Sequence, residues 1–401
     1  MTSSVDAQVG GRRAHLRALI EDDLLSRVAW SRLVEPGDWR AAALIGEVGA
    51  GEALRALLDR DVEWMARYRP RVAQLEPERD LLGVERLGGR VVCPTDAEWP
   101  DALRLLRAPP PCLWVRGPAR LDEVAARSVA VVGARAATAY GEHVAADLAC
   151  GLVDRGFAVV SGMAFGIDAA AHRGALAGEG VSVGVVAGGL DRAYPAAHDA
   201  LLHRLAEAGA VVSEVPPGSA PTKGRFLQRN RLIAACTSGT VVVEAAMRSG
   251  SLNTARTAER LGRPVGAVPG PVTSAASAGC HALVRSGAAV VVTDADEVAE
   301  LMGAMGSDVA EPKVGERRVT DELDEVCGRV LDALPKRTGR PVDRLCATAG
   351  LDPTSLQAAL GRLALLGLAE RDGTGWRVAQ VPRAVTPDYR RQASSVVRRD
   401  A

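Results

Sequence analysis

Between Val91 and residue 305 the chain repeats one pattern: a short run of Val and Ala, then a segment of about 10–15 residues with apolar positions at helical spacing. The runs are Ser128–Gly133, Ala158–Gly162, Val181–Gly189, Ala210–Val215, Thr240–Glu244, Pro264–Gly270 and Ala289–Asp294. Strands that are apolar on both faces belong to a parallel sheet covered by helices on each side. Residues 91–305 therefore read as an α/β, Rossmann-like doubly wound domain with a mostly parallel sheet. Ligands in such sheets sit at the carboxyl ends of the strands, and here those ends carry glycine-rich turns.

The flanks follow other patterns. Residues 1–90 read as a helical domain. Arg13–Val34 and Trp39–Leu58 flank the turn Glu35-Pro36-Gly37-Asp38, with Asp38 as N-cap. Gly46-Glu47-Val48-Gly49-Ala50-Gly51 resembles the glycine turn of a helix-hairpin-helix or SAM-like element. It is either a DNA-contacting turn or a plain interhelical one. Residues 306–319 mix Gly, Pro and charge without period and read as a linker. In residues 320–380, helices over Thr320–Leu334, Pro341–Ala349 and Asp352–Leu366 precede a hairpin, Leu368–Arg371 and Trp376–Val378, turning at Asp372-Gly373. That order is the winged-helix arrangement. Its third helix offers only Gln357 and Arg362 as polar readers, which leaves protein contact and DNA readout both open. Residues 381–401 form a weakly basic tail, through Arg390, Arg391, Arg398 and Arg399, expected to be disordered.

Composition narrows the function classes. No apolar run approaches the roughly 18 residues a membrane span needs, and Met1–Gly10 lacks the pattern of a secretory signal. Seven cysteines without a Cys-x-x-Cys pair argue against a disulfide framework or a zinc site, so a reduced, cytoplasmic setting is expected. Net charge is zero, 49 basic against 49 acidic residues, so any nucleic-acid site has to be a local patch. Only three of those basic residues are lysines, beside two asparagines and three phenylalanines. Lys223, Phe226 and Asn230 nevertheless fall within eight positions of one another.

Three turns carry candidate chemistry. Gly133-Ala134-Arg135 follows the first long run, and a helix opens at Thr138. A glycine at a strand end lets a phosphate approach, while the helix N-terminus offers free N–H groups. The Gly-x-Gly-x-x-Gly fingerprint is absent, so no dinucleotide cofactor is expected. In the second turn, Ser161–Asp168 with His172, the spacing puts Asp168 and His172 on one helix face. Without a nucleophile elbow Ser161 is not read as catalytic. Asp168 is expected to cap the helix and His172 to fix the neighbouring loop. No metal set is complete.

The third segment, Pro221–Arg231, contains Lys223, Arg225, Arg229 and Arg231, and no acid lies between Val215 and Glu244. Cations for phosphates, Phe226 as a ring for a base, and a helix expected over Arg229–Cys236 make up the means of single-strand recognition. A solvated basic loop is the alternative. Beyond Glu244, Ser249, Gly250, Ser251 and Thr254 enter a helix, as caps or as phosphate ligands.

These motifs resemble the DprA (Smf) family of DNA-processing proteins. The resemblance covers about residues 95–295 and rests on ordered motifs. They are Trp99-Pro100-x-x-Leu103, Pro109–Gly117, Gly133-x-Arg135, Ser161–Asp168 with His172 and Gly188-Gly189-Leu190-Asp191 leading to Tyr194-Pro195. Ser213-Glu214, Phe226-x-x-Arg229-Asn230-Arg231, Ser249–Ala255 and Pro269-Gly270 follow. It implies a homodimeric protein that binds incoming single-stranded DNA in natural transformation and loads RecA past single-strand binding protein, with no catalytic residue and no cofactor. By the same resemblance Arg135, Lys223, Phe226 and Arg229 line the DNA pocket, and Gly133, Ser161, Gly162 and Asn230 shape it. Two positions depart from the family pattern. Leu227 stands where proline is usual, which is expected to loosen the loop, and His281 stands where asparagine is common. Two other classes compete: a nucleotide phosphoribohydrolase of the lysine-decarboxylase-like group, whose loop has a Pro-Gly-Gly missing before Gly239-Thr240, and a nucleotide sensor.

Overall fold

All seven apolar runs form strands, each ending short of its predicted limit, and two further strands precede them. The sheet comprises β1 (Gly89–Val92), β2 (Leu113–Arg116), β3 (Ser128–Val132), β4 (Ala158–Ser161), β5 (Ser182–Val186), β6 (Ala210–Ser213), β7 (Gly239–Val242), β8 (Val265–Ala267) and β9 (Val290–Val291). In this computed structural model, which describes residues 17–60, 62–313 and 319–379, the strand order is β1-β2-β6-β5-β4-β3-β7-β8-β9. Only β2 runs against its neighbours; the pairings from β6 to β9 are parallel.

Alternate residues of each central strand feed two different cores. Val129, Val131, Val159 and Val241 pack with Leu148, Ala170 and Val298 from helices Ala139–Asp154, Ile167–Ala177 and Ala295–Met302. Ala130, Val132, Val160 and Val242 pack on the opposite face with Leu232, Ile233 and Leu252 from helices Lys223–Ala235 and Ser251–Arg260. Burying one such valine is worth roughly 1.5–3 kcal/mol, so both layers are needed to hold the sheet. From β3 the chain advances through β4, β5 and β6 on one side, then returns at β7 and advances through β8 and β9 on the other. The order reverses between β3 and β7, and a crevice opens beyond their carboxyl ends.

The chain divides into two units at Glu311–Pro312. In the first, helices Asp23–Leu33, Trp39–Val48 and Ala50–Asp59 pack around their own core of Trp30, Leu33, Leu54, Leu57 and Tyr68, while helix Pro77–Arg86 buries Val84 with Trp114 and Val211 of the sheet. The interhelical turn read at Gly46–Gly51 falls at Gly49, which divides the helical stretch Trp39–Leu58 and whose φ of +84° is poorly accessible to other residues. Gly51 lies against the Ile20 carbonyl, so closely that a Cβ there would fall 2.2 Å from its oxygen. Arg32 binds the helices to the sheet region through Asp80 and the Pro217 carbonyl, the latter at 3.1 Å.

In the second unit, helices Glu325–Ala333, Val342–Ala349 and Pro353–Leu365 enclose Val330, Leu345, Leu356, Leu360 and Leu363. The antiparallel hairpin β10 (Ala369–Asp372) and β11 (Gly375–Val378) follows. Asp372 fixes its turn by accepting from the Thr374 and Gly375 amides at 2.8 and 3.1 Å. The predicted tail lies outside the described residues, as do positions 314–318 of the predicted linker. No described helix is long and apolar enough to cross a membrane.

Candidate nucleic-acid interface

A cleft of about 410 Å³ occupies the crevice. Its walls are the turn after β3 with Gly133 and Arg135, the helix Lys223–Ala235 with Phe226, Leu227, Arg229 and Asn230, and the turn after β7 with Arg248, Ser249, Gly250 and Ser251. The basic segment is itself helical. Its helix starts at Lys223, six residues before the predicted Arg229, with the Thr222 side chain accepting from the Arg225 amide at 3.2 Å. Leu227 lies inside this helix and supplies an N–H for the carbonyl four residues back, which a proline there would lack. The departure at 227 therefore sits in a helix and not in the loop it was expected to loosen.

Phe226 projects into the cleft with the Arg135 guanidinium 4.8 Å from its ring centroid and the Tyr194 ring at 5.3 Å. Arg135, Lys223 and Arg248 are exposed and make no ion pair among the described residues. The motif read from Ser249 omits Arg248, although a cation directly before Ser-Gly-Ser was the signal for it. Tyr194 was legible only as a motif residue, since its ring contact with Phe226 joins a loop to a helix 32 positions further on.

The other cations of the basic segment are engaged. Arg225 donates to Glu35 at 2.8 and 3.0 Å and to the Ala220 carbonyl at 3.0 Å, and this partner holds the Glu35 carboxyl below its usual range. Arg231 pairs with the buried Glu214, whose pKa burial pushes up against that attraction. Arg229 lies beneath the cleft, 5% exposed, and donates to the Gly162 carbonyl at 2.5 Å and to the Val185 carbonyl. Burial pulls its pKa down to about 10, with Asp168 opposing, so it stays charged at neutral pH. Both bonds leave from one terminal nitrogen, its Nε is buried without a partner among the described residues, and the side chain lines the cleft from below.

That floor depends on close approach. A Cβ at Gly162 would fall 2.2 Å from the Arg229 guanidinium. Asp168 accepts from the Gly162 amide at 3.1 Å and the Ala164 amide at 3.4 Å. Its pKa is raised by burial, with Arg229 pulling the other way. The expected helix cap is therefore a loop clasp: Gly166 is the N-cap and makes no side-chain cap bond. His172 does not hold that loop either. Its Nδ1 lies 2.8 Å from Ser182 Oγ on β5, and burial drives its pKa down to about 3. Ser161 is buried and donates to the Val131 carbonyl at 2.6 Å, tying β4 to β3.

The helix N-terminus at Thr138 is occupied from within. Glu244 accepts from the Thr138 amide at 2.9 Å and its hydroxyl at 2.6 Å, and its backbone carbonyl accepts from the Ala134 amide at 2.7 Å. A carboxylate already seated on that dipole repels a phosphate, which corrects the expectation of free N–H groups there. Asn230 donates to the Gly250 carbonyl at 3.2 Å and so joins two walls of the cleft. Ser249 and Ser251 face each other at 2.7 Å, and Thr254 is buried behind them. His281 Nε2 meets the Gly270 carbonyl at 3.0 Å, closing the turn after β8. Among the described residues no three His, Cys, Asp or Glu side chains gather as a metal site.

The model of the DNA recombination-mediator protein A family matches residues 90–303. A Mycobacterium tuberculosis protein that carries the DNA processing protein DprA name is 48% identical over 370 residues, covering 87% of this chain and 94% of that one. The Escherichia coli protein Smf is 42% identical over 209 residues, 52% of this chain and 55% of that one. The X-ray structure of Streptococcus pneumoniae DNA processing protein A superposes with a TM-score of 0.59 at 30% identity, covering 69% of this chain and 96% of that chain. With the family model matching more than half its length, the chain belongs to the DNA recombination-mediator protein A family.

Proposed function

We propose that the cleft binds single-stranded DNA and that the chain acts as a recombination mediator, protecting the strand and handing it to RecA past single-strand binding protein. The observation that carries this reading is the Phe226 ring, flanked by the Arg135 guanidinium and Tyr194, with the unpaired Arg248 in the cleft wall and the exposed Lys223 three residues before Phe226 on the same helix. Aromatic faces take bases of any sequence, cations neutralise the backbone, and a crevice at a strand-order reversal holds both near a rigid sheet. Family membership supports the setting: uptake of DNA in natural transformation, a homodimer, the cytoplasm. Binding without turnover is our reading of the site, because the Glu244 carboxylate is committed to Thr138. We read the second unit as a winged helix that contacts protein: Arg362 is paired with Asp324, and Arg377 with Glu370 and Asp372.

Gel shifts with single-stranded DNA, duplex and AMP test the proposal directly. Preferential retention of the single strand, lost on Arg135→Glu, is expected, together with faster RecA assembly on strands coated with single-strand binding protein. Full single-strand affinity in Arg135→Glu, or release of adenine from AMP, overturns it.

A further inference from the structure

We infer that Trp39, on the N-terminal helices, is a second base-stacking site that extends the strand's path beyond the cleft; this rests on the single-strand reading above. Trp39 is the one tryptophan of six that is exposed, at 47%, whereas Trp30, Trp99 and Trp114 are buried and Trp64 and Trp376 are partly so. The guanidinium carbons of Arg40 and Arg107 lie 5.4 and 5.1 Å from its ring centroid. The arrangement repeats the Arg135–Phe226 pairing of the cleft, and neither arginine makes an ion pair among the described residues.

The neighbouring acids are already neutralised. Glu35 is bound by Arg225, and Asp38 by Arg67 at 2.8 Å and by the Tyr68 hydroxyl. What faces solvent is an aromatic ring with two uncompensated guanidinium planes, surfaces on which bases stack and to which phosphates are drawn. An acidic partner protein would be served by the charges alone and would not require the ring.

The two sites share one helix. Gln228, two residues beyond Phe226, lays its amide on Gly37, where a Cβ would fall 2.2 Å from its Oε1; Trp39 follows two residues later. The short helix Asp101–Leu105 packs against the same Lys223–Ala235 helix and leads to Arg107. Two positions apart on that helix, Phe226 and Gln228 point to opposite sides, so one helix, roughly 10–12 Å across, separates Phe226 from the Gly37 turn.

Fluorescence anisotropy on the full chain with oligothymidylates of about 4 and about 16 nucleotides tests this, using Trp39→Ala, Trp39→Tyr and Phe226→Ala. Trp39→Ala is expected to leave the short strand's affinity unchanged and to weaken the long strand roughly 5- to 150-fold. Trp39→Tyr should restore most of that loss. Long-strand affinity in Trp39→Ala equal to wild type, with Phe226→Ala weakening both lengths, overturns the extension and leaves the cleft standing. Equal losses on both lengths in Trp39→Ala also overturn it, because the residue then acts through the cleft. If Phe226→Ala weakens neither strand, the cleft reading fails and the extension falls with it. Unchanged DNA binding alongside loss of RecA assembly in Trp39→Ala assigns the surface to a protein and overturns the proposal as well.

Discussion

Removing the cations one at a time should separate the three proposed to meet a DNA strand from those engaged within the protein. Arg135, Lys223 and Arg248 are exposed and unpaired, whereas Arg225 and Arg231 hold Glu35 and Glu214. For single strands the logarithm of the affinity falls with the logarithm of salt by about 0.7 per neutralised phosphate. Three contacts then cost about 18-fold in affinity between 50 and 200 mM salt, and each contact removed recovers about 2.6-fold of that. Anisotropy titrations across that salt range on Arg135→Ala, Lys223→Ala and Arg248→Ala should each show a slope shallower by about 0.7. Arg225→Gln and Arg231→Gln should keep the wild-type slope, because their charges neutralise carboxylates in the folded chain. A slope reduced as much by Arg225→Gln or Arg231→Gln as by Arg135→Ala refutes the assignment of those ion pairs.

Other perturbations read the floor and the ring. Arg229→Met should cost about 1–3 kcal/mol in urea unfolding for each of the Gly162 and Val185 carbonyls it leaves without a donor; Arg135→Ala should cost almost nothing. Gly162→Ala should destabilise by about 1–3 kcal/mol by driving a methyl into the Arg229 guanidinium, and a wild-type melting curve would contradict that packing. Phe226→Ala should lose about 1–3 kcal/mol of oligothymidylate affinity at unchanged fold, and Phe226→Trp should retain it. Unfolded His172 protonates near 6.5 while the buried ring resists until about 3. Protons therefore favour the unfolded chain, and stability falls as pH drops below 6.5 by up to about 1.36 kcal/mol per pH unit. The raised pKa values of Asp168 and Glu214 act in the opposite sense, so the difference between wild type and His172→Gln is the quantity to measure; identical pH profiles would sink the account.

The doubly wound sheet was legible because both its faces are covered. Val129 and Val131 serve one core and Ala130 and Val132 the other, so the strand is written as an unbroken apolar run. β1 and β2 were not legible. Gly89–Val92 and Leu113–Arg116 are four residues each and antiparallel, and Pro109-Pro110-Pro111 just upstream of β2 reads as loop. Between Gly46 and Gly51 the turn was legible and its exact place was not. Gly46, Gly49 and Gly51 are equivalent as letters, and only tertiary packing decides which one takes the positive φ.

The site shows the limit of local reading more sharply. A stretch with four cations and no acid looks like a phosphate-binding surface, yet Arg225 finds its carboxylate at Glu35, 190 positions away, and Arg231 finds Glu214 across a turn. Charge counted along the chain ignores partners that folding supplies. The scarcity of Lys, Asn and Phe was a better guide, because it registers which residue types were kept and makes no claim about their neighbours. Lys223 faces solvent, Phe226 carries the ring, and Asn230 ties the helix to Gly250. The zero net charge then has a structural reading: acids such as Glu35, Glu214 and Glu244 are engaged by partners within the fold, and a neutral chain is left with the unpaired Arg135 and Arg248 in one cleft and an exposed Lys223 on the helix that forms its wall.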